Sequence, residues 1–291
     1  MDKRLQQLKE EYQQIPIPAE LNLVVNQALR ARKRKRNSMR WLAGVSAAAM
    51  AFVITINMST TVANAFTEIP GVGNIVKVFI FKQYTMDDET YHADLKVPAI
   101  GNLENKELEL GLNQKYLEEN RKLYEEFLVE VEALKQAGGG HLGIDSGFEV
   151  KTDNDEILAI GRYVVNTVGS SSTTIKYDTI DKKNEIVISL PMLFQDDRYI
   201  DIISANIKKQ MKEQMAADPS NVYWIATEEN PSPVESFERI ENEQNFYINP
   251  DGKLVIVFNK YDVAPGYMGV VEFVIPTDVL SDVLVSRQYI R

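Results

Sequence analysis

The sequence predicts an α+β domain, made of an antiparallel sheet and two main helices, that follows a single transmembrane helix and a small helical segment at the amino end. Three observations predict this architecture. Residues 41–67 contain no Asp, Glu, Lys or Arg and follow a strongly basic run. Residues 147–190 contain short strand-like segments separated by tight turns. Residues 104–136 and 199–217 carry apolar side chains at helical spacing.

The charge of the chain changes sign near residue 41. The net charge is −10, but the first 40 residues carry ten basic and four acidic side chains, a net of +6. The remaining residues therefore carry −16. A basic segment beside an apolar run is typical of a membrane crossing, and the basic side faces the cytoplasm. We expect residues 1–40 to be cytoplasmic, residues 41–65 to span the cell membrane once, and residues 66–291 to lie outside the cell.

Two other interpretations fit parts of this region. The apolar run could be a buried core helix, and the basic run at residues 30–40 could bind nucleic acid. A core helix would not normally follow so many basic residues, and the positive-inside rule accounts for them without a nucleic acid. The sequence therefore favours a membrane span and no nucleic-acid partner.

The cytoplasmic segment has one apolar helical face. Its residues recur at spacings of three and four and are Leu21, Val24, Val25, Ala28 and Leu29. Forty residues bury little surface by themselves, so this face needs a partner. The membrane surface, a second copy or a cytoplasmic protein would each satisfy it.

The apolar run ends in a sequence that resembles a signal-peptidase site. Ala63 and Ala65 form the small-x-small pattern that precedes such a cut, and Phe66 would follow it. The same pattern also arises by chance in alanine-rich helices. Because the run begins after 40 residues, later than in an ordinary secretory signal, we expect a membrane anchor whose cleavage is conditional.

The outer part, residues 66–291, is predicted to be one α+β domain with a possible subdivision near residue 190. The predicted strands are 75–84, 89–100, an antiparallel meander of 147–154, 156–169, 172–181 and 184–190, a hairpin turning at Pro250–Gly252, and 267–276. The first long helix has Leu108, Leu112, Tyr116, Leu123, Phe127, Val131 and Leu134 on its predicted buried face and Gly138 as its cap. The second has Ile200, Ile203, Ile207, Met211 and Met215 there. A glycine-rich loop is expected over 137–147 and a short helix over 277–284.

Groups that commonly perform catalysis are scarce. The chain has no cysteine, and its two histidines, His92 and His141, lie far apart without zinc-site spacing. The acidic run at 153–156 lacks the glycine and distal glutamate of a calcium loop, so we expect a turn. The sequence predicts no metal, no cofactor and no catalytic residues. A hydrolase that uses two of the many carboxylates is the alternative.

The loop between the last two apolar strands is a candidate recognition site. Pro265 and Gly266 form a turn, and Tyr267 follows as a projecting aromatic side chain, which provides contact area at small entropic cost. A plain loop with Tyr267 packed onto the sheet fits the same pattern. The acidic charge of the domain favours a basic partner.

Three stretches carry a family resemblance: the opening "MDKRLQQLKEEYQQIPIPAELNLVVNQAL", the segment "ANAFTEIPGVGNIVKVFIF", and the closing "FYINPDGKLVIVFNKYDVAPGYMGVVEFVIP". With the basic run and single span, they make the chain resemble the lysozyme-sensing anti-sigma factors of Gram-positive bacteria, of the anti-sigma-V type. The closing stretch is also similar to an extracytoplasmic domain that accompanies some peptidoglycan deacetylases. A membrane-tethered cell-wall-binding module is therefore the alternative function.

The resemblance implies a mechanism and a set of partners. The cytoplasmic segment would hold an extracytoplasmic-function sigma factor inactive, and the outer domain would bind lysozyme. Binding would expose the site to signal peptidase, which would cut after Ala65, and an intramembrane metalloprotease would then cut within the span. The released sigma factor would turn on lysozyme-resistance genes. Family contact residues match Pro265 and Tyr267, and a family serine corresponds to Ser170, Ser171 or Ser172, with the register left open.

Overall fold

The computed structural model describes residues 76–226 and 236–291. The strands are β1 (Lys77–Asp87), β2 (Tyr91–Gly101), β3 (Leu142–Asp153), β4 (Ile157–Val168), β5 (Ser170–Asp181), β6 (Ile186–Ile188), β7 (Phe246–Ile248), β8 (Leu254–Phe258) and β9 (Val271–Ile275). The helices are α1 (Lys106–Gln136), α2 (Arg198–Ala217) and α3 (Thr277–Leu280), with 3-10 turns at Leu190–Leu193 and Gly266–Met268. Both long helices and each predicted strand are confirmed, with shifts at their ends.

The amino-terminal predictions fall outside this range. The cytoplasmic segment 1–40, the span 41–65 and the cleavage site at Ala63, Ala65 and Phe66 all lie outside the described residues. Among the residues that are described, no helix has the length and apolar character needed to cross a bilayer.

The strands form two sheets, and this corrects the prediction of one antiparallel sheet. One sheet has the order β1-β2-β3-β4-β5-β6 and the other has the order β7-β8-β9. All neighbouring pairs are antiparallel except β2 and β3, which run parallel. The helix α1 connects these two strands, because parallel neighbours need a long crossover that returns the chain to the starting end. The residue pattern of a single strand does not reveal the direction of its neighbour.

Strand β3 begins at Leu142, within the stretch predicted to be a glycine-rich loop. Its first residues pair with β2, with Leu142 opposite Tyr91 and Ile144 opposite Ala93. Leu142 and Ile144 are buried together with the apolar face of α1. Two apolar residues at alternate positions were enough to start a strand here, because the helix covers the face on which both lie.

Helix α1 buries one face against the six-stranded sheet. Of the seven residues predicted for this face, Leu112, Tyr116, Phe127 and Val131 are buried and the other three are partly buried. The helix begins after Asn105, whose side-chain oxygen accepts a hydrogen bond from Leu108 N at 3.0 Å. Gly138 follows its last turn with φ of +104°, as predicted for a glycine that ends a helix.

Two polar residues of α1 are also buried, and the apolar pattern did not predict them. Glu109 accepts a hydrogen bond from Leu103 N at 2.9 Å and pairs with Lys106. Asn120 accepts a hydrogen bond from Ser146 Oγ on β3 at 2.6 Å. Buried polar groups of this kind are stable only when paired, so Asn120 ties α1 to β3 and Glu109 ties the start of α1 to the preceding loop.

Helix α2 packs against the three-stranded sheet in a separate, larger core. Ile203, Ile207 and Met211 are fully buried, while Ile200 and Met215 are partly buried at its edge. The hairpin of β7 and β8 turns at Pro250–Gly252, as predicted, with Gly252 at φ of +70°. The confirmed helical faces show that spacing alone identified both buried surfaces.

A charged network lies between α1 and the six-stranded sheet. Asp178 on β5 accepts hydrogen bonds from Lys115 Nζ at 2.9 Å and from Arg162 Nη2 at 3.0 Å. Arg162 also bonds Glu119, and its guanidinium lies 4.4 Å from the centre of the Tyr116 ring. Burial alone would raise the pKa of Asp178, but the two cations outweigh it and hold that pKa below its usual value.

We expect Asp178→Asn to destabilise the protein by about 2 to 3 kcal/mol at neutral pH, because it leaves Arg162 short of a buried partner. Since the folded pKa is lowered, the stabilisation is present above the unfolded pKa of about 4 and is lost as the pH falls through the folded value. Urea unfolding at pH 7 and pH 3 measures both effects, and the variant should differ less from the original at pH 3. Asp88→Asn, in an exposed pair with Lys135, is the control and should change stability by less than about 0.5 kcal/mol.

Candidate functional site

The first part of the site is the hairpin where β4 turns into β5. We call residues 169–172 the serine tip. Gly169 turns the chain with φ of +71°, and Ser170 is exposed, whereas Ser171 and Ser172 are half-buried. Ser171 and Ser172 pair across the hairpin with Thr167 and Asn166. All three candidate serines therefore belong to one hairpin end.

The second part is the loop between β8 and β9, which we call the tyrosine loop (residues 259–269). Pro265 precedes a 3-10 turn, and Gly269 ends it with φ of +69°. Tyr267 projects from this turn and is 68% exposed. Its hydroxyl donates a hydrogen bond to Ser220 O at 2.9 Å, just beyond α2. The side chain is therefore not packed onto the sheet, which was the alternative that the sequence allowed.

Tyr261 packs against the turn of the tyrosine loop. It has the left-handed backbone conformation, with φ of +77°, which is uncommon for a tyrosine. Its ring lies against Gly266, where an added Cβ would come within 2.3 Å of the ring atom Cε1. Only glycine fits at position 266 without moving this ring. The predicted turn residue Gly266 therefore has a packing role, and Tyr261 has one that the sequence did not indicate.

The structure brings the serine tip and the tyrosine loop together, although they are about ninety residues apart in sequence. Lys260 Nζ donates hydrogen bonds to Ser171 O at 2.6 Å and to Ser171 Oγ at 2.9 Å. The backbone nitrogen of Lys260 donates to Thr173 O at 3.1 Å. No signal in the sequence identified Lys260, because its partners are defined only by the tertiary structure.

The outer edge of β5 explains why the two segments meet. Strand β6 pairs only with residues 179–181, which leaves the preceding part of that edge without a neighbouring strand. Asn259 accepts a hydrogen bond from Ile175 N at 2.8 Å, and Asn245 bonds both Ile175 O and Tyr177 N at 2.9 Å. Two asparagine side chains thus take the place of a strand on this edge, and Asn259, the first residue of the tyrosine loop, holds that loop against β5.

The site lies at one end of the six-stranded sheet. The strand register connects the serine tip to the end of β1. Thr167 on β4 pairs with Gly143 on β3, Gly143 pairs with His92 on β2, and His92 pairs with Asp87, the last residue of β1. Lys77, where the described chain begins its first strand, lies at the other end of β1. Ten residue steps at about 3.3 Å place Lys77 roughly 33 Å from the level of the serine tip.

Two carboxylates belong to this region: Asp262 within the tyrosine loop, and Asp218 beside Ser220, the residue that Tyr267 contacts. Asp218 accepts hydrogen bonds from Ser220 N and Ser220 Oγ, and these bonds lower its pKa, so it is charged at neutral pH. Asp262 accepts a hydrogen bond from Asn259 N at 2.7 Å, while burial raises its pKa. The site therefore offers an exposed aromatic ring, serine hydroxyls and a surface carboxylate, which suit binding to another macromolecule.

The described residues contain little that resembles a catalytic or metal site. No group of three or more histidine and acidic side chains within 76–226 and 236–291 is placed to hold a metal ion. His141 is exposed, and the acidic run at 153–156 forms the β3–β4 turn, as predicted. A groove of about 810 Å³ lies beside β5, but its buried charges are the paired groups of the Asp178 network.

Comparisons with known proteins agree with the end-to-end resemblance. The chain is 46% identical over 292 residues to the anti-sigma-V factor RsiV of Bacillus subtilis (strain 168), and the match covers 100% of both chains. Residues 192–278 match a family described as "Protein of unknown function (DUF3298)". A solved structure of a DUF3298 family member from Bacteroides fragilis NCTC 9343 matches with a TM-score of 0.52 and 15% identity, over 73% of this chain and 94% of that one. This last likeness concerns the fold alone.

Proposed function

The chain belongs to the anti-sigma-V factor family, and from this premise we propose that it is a membrane-anchored receptor that releases its sigma factor when lysozyme binds outside the cell. Its role as an anti-sigma factor, a regulator rather than an enzyme, and its sigma-factor partner follow from the family. The lysozyme ligand, the membrane topology and the proteolytic release are the further steps that we propose.

We propose three functional parts. Residues 1–40 hold an extracytoplasmic-function sigma factor through the apolar face of Leu21, Val24, Val25, Ala28 and Leu29. Residues 41–65 cross the cell membrane once with the amino end in the cytoplasm. Residues 66–291, with a possible subdivision near 190, form the outer domain. Signal peptidase cuts between Ala65 and Phe66 after lysozyme binds, and an intramembrane metalloprotease then releases the sigma factor.

The observation that supports lysozyme binding is the direct contact between the serine tip and the tyrosine loop, the loop that carries the exposed Tyr267. Family resemblance gave Pro265, Tyr267 and one serine as contacts, without any information on whether they lie together. Lys260 bonds Ser171 directly and belongs to the same loop as Tyr267. The charge of −16 beyond residue 40 suits a strongly basic ligand such as lysozyme.

The test is capture of hen egg-white lysozyme by the full-length chain in detergent micelles, across a series of salt concentrations. We expect binding that weakens as salt rises, because opposite net charges contribute to association. Cytochrome c, another small basic protein, is the control and should not be retained at moderate salt. Equal retention of both proteins would mean attraction by charge alone and would contradict the proposal.

The same preparation distinguishes the proposed lysozyme receptor from the alternative function. A membrane-tethered cell-wall-binding module would bind purified peptidoglycan without lysozyme, whereas the receptor requires lysozyme itself. Copurification of a sigma factor with residues 1–40 tests the cytoplasmic half independently. A chain that binds peptidoglycan and neither lysozyme nor a sigma factor would favour the alternative.

A further inference from the structure

We infer that Lys260 is a positioning residue, which holds the serine tip and the tyrosine loop at the spacing needed for lysozyme binding. This inference rests on the proposed function. It assigns a role to a residue that neither the family resemblance nor the sequence pattern identified.

The contacts of Lys260 join the two segments. Its side chain bonds both the carbonyl and the hydroxyl of Ser171, and its backbone bonds Thr173 O. The ammonium thus donates a hydrogen bond to Ser171 O, which lies on the edge of β5 where no strand pairs with it. A charged donor makes a stronger bond than a neutral one, so the link is well suited to fix a hairpin end.

A second set of contacts connects Lys260 to the turn that presents Tyr267. Lys260 Nζ lies 5.2 Å from the centre of the Tyr261 ring, within range of a cation–π interaction. That ring fills the space at Gly266, and Gly266 directly precedes Tyr267. Contacts therefore run without a gap from Ser171 through Lys260 and Tyr261 to the turn that presents Tyr267.

Fixed spacing matters because two separate segments must meet one ligand surface. If they move independently, binding must first order them, and that entropic cost reduces affinity. Lys260 would lower this cost without touching lysozyme. Its loss should therefore weaken binding and loosen both segments, while the rest of the domain keeps its fold.

The experiment compares Lys260→Met, which keeps the side-chain length and removes the donor, with Lys260→Arg, which keeps a charged donor. Lys182→Met is the matched control. Lys182 bonds Asp153 Oδ1 at 2.5 Å and Asn154 O at 2.7 Å, so it also fixes a hairpin turn, but at the opposite end of β4. The readouts on the full-length chain are the Kd for hen egg-white lysozyme and hydrogen–deuterium exchange without lysozyme.

We expect Lys260→Met to raise Kd by about tenfold and Lys260→Arg by less than about threefold. Exchange should speed up in both residues 169–172 and residues 261–269 of Lys260→Met, and Lys182→Met should bind normally. If Lys260→Met does not fold, Lys260→Gln, a shorter polar replacement, gives the same comparison.

An unchanged Kd and unchanged exchange in Lys260→Met would overturn the inference, as would an equal loss of binding in Lys182→Met. Failure of the original chain to bind lysozyme would instead contradict the proposed function. In that case exchange still decides whether Lys260 couples the two segments, because it is measured without a ligand.

Discussion

Replacing Tyr267 by alanine should weaken lysozyme binding by about 10- to 100-fold while leaving thermal unfolding nearly unchanged. The side chain is 68% exposed, so its removal exposes little new core. An aromatic side chain at the centre of an interface commonly contributes about 2 kcal/mol or more to binding. The binding loss should therefore greatly exceed the stability loss.

The hydrogen bond from Tyr267 to Ser220 O allows a finer comparison. Tyr267→Phe keeps the ring and removes only this bond, so it should lose much less affinity than Tyr267→Ala. Val129→Ala, which truncates a 71% exposed side chain on α1, is the matched control and should bind normally. Isothermal titration calorimetry and a thermal melt measure the two quantities. Unchanged affinity in Tyr267→Ala would remove the tyrosine loop from the proposed interface.

Replacing Ala65 by tryptophan should prevent the lysozyme-induced cut altogether. Signal peptidase requires a small residue immediately before the bond that it cleaves, and tryptophan is the largest side chain available. In cells treated with lysozyme, the original chain should give an outer fragment of 226 residues, starting at Phe66, on an immunoblot. The Ala65→Trp chain should stay at full length.

Two controls make this result specific. Asn64→Ser changes the middle position of the small-x-small pattern, where residue size matters little, and should be cut normally. The Ala65→Trp chain should still bind lysozyme, since the substitution lies outside the described domain that carries the site. A fragment of the original size from Ala65→Trp would show that the cut occurs elsewhere, and the proposed release mechanism would then need another protease site.

Secondary structure was predictable because its signals are local. The spacing of Leu112, Tyr116 and Phe127 depends only on helix geometry, and it located the buried face of α1 correctly. Turn residues such as Gly252 likewise act within a few residues of themselves. The prediction of the sheets was wrong because pairing is not a local property. Neither the parallel pairing of β2 with β3 nor the division into two sheets is encoded in any one strand.

Candidate site residues were found from the sequence only where they form a recognisable local pattern. Pro265, Gly266 and Tyr267 form a turn followed by an aromatic residue, whereas the three candidate serines came from the family resemblance. Lys260 looks like any surface lysine in the sequence, and Asn245 and Asn259 look like ordinary loop residues. Their roles arise from the uncovered edge of β5, which exists only because β6 is three residues long.

The sequence by itself determined the positions of both long helices and most strands, the step in charge near residue 41 and, through its resemblance, the family. These features depend on residues that are close together in the sequence or on composition, and both can be read from the sequence directly. Only the tertiary structure decided that the serine tip and the tyrosine loop are in contact, and at which end of the sheet they meet. That outcome depends on hydrogen bonds between residues 84 and 89 positions apart, and the free edge of β5 that they satisfy exists only in the paired sheet.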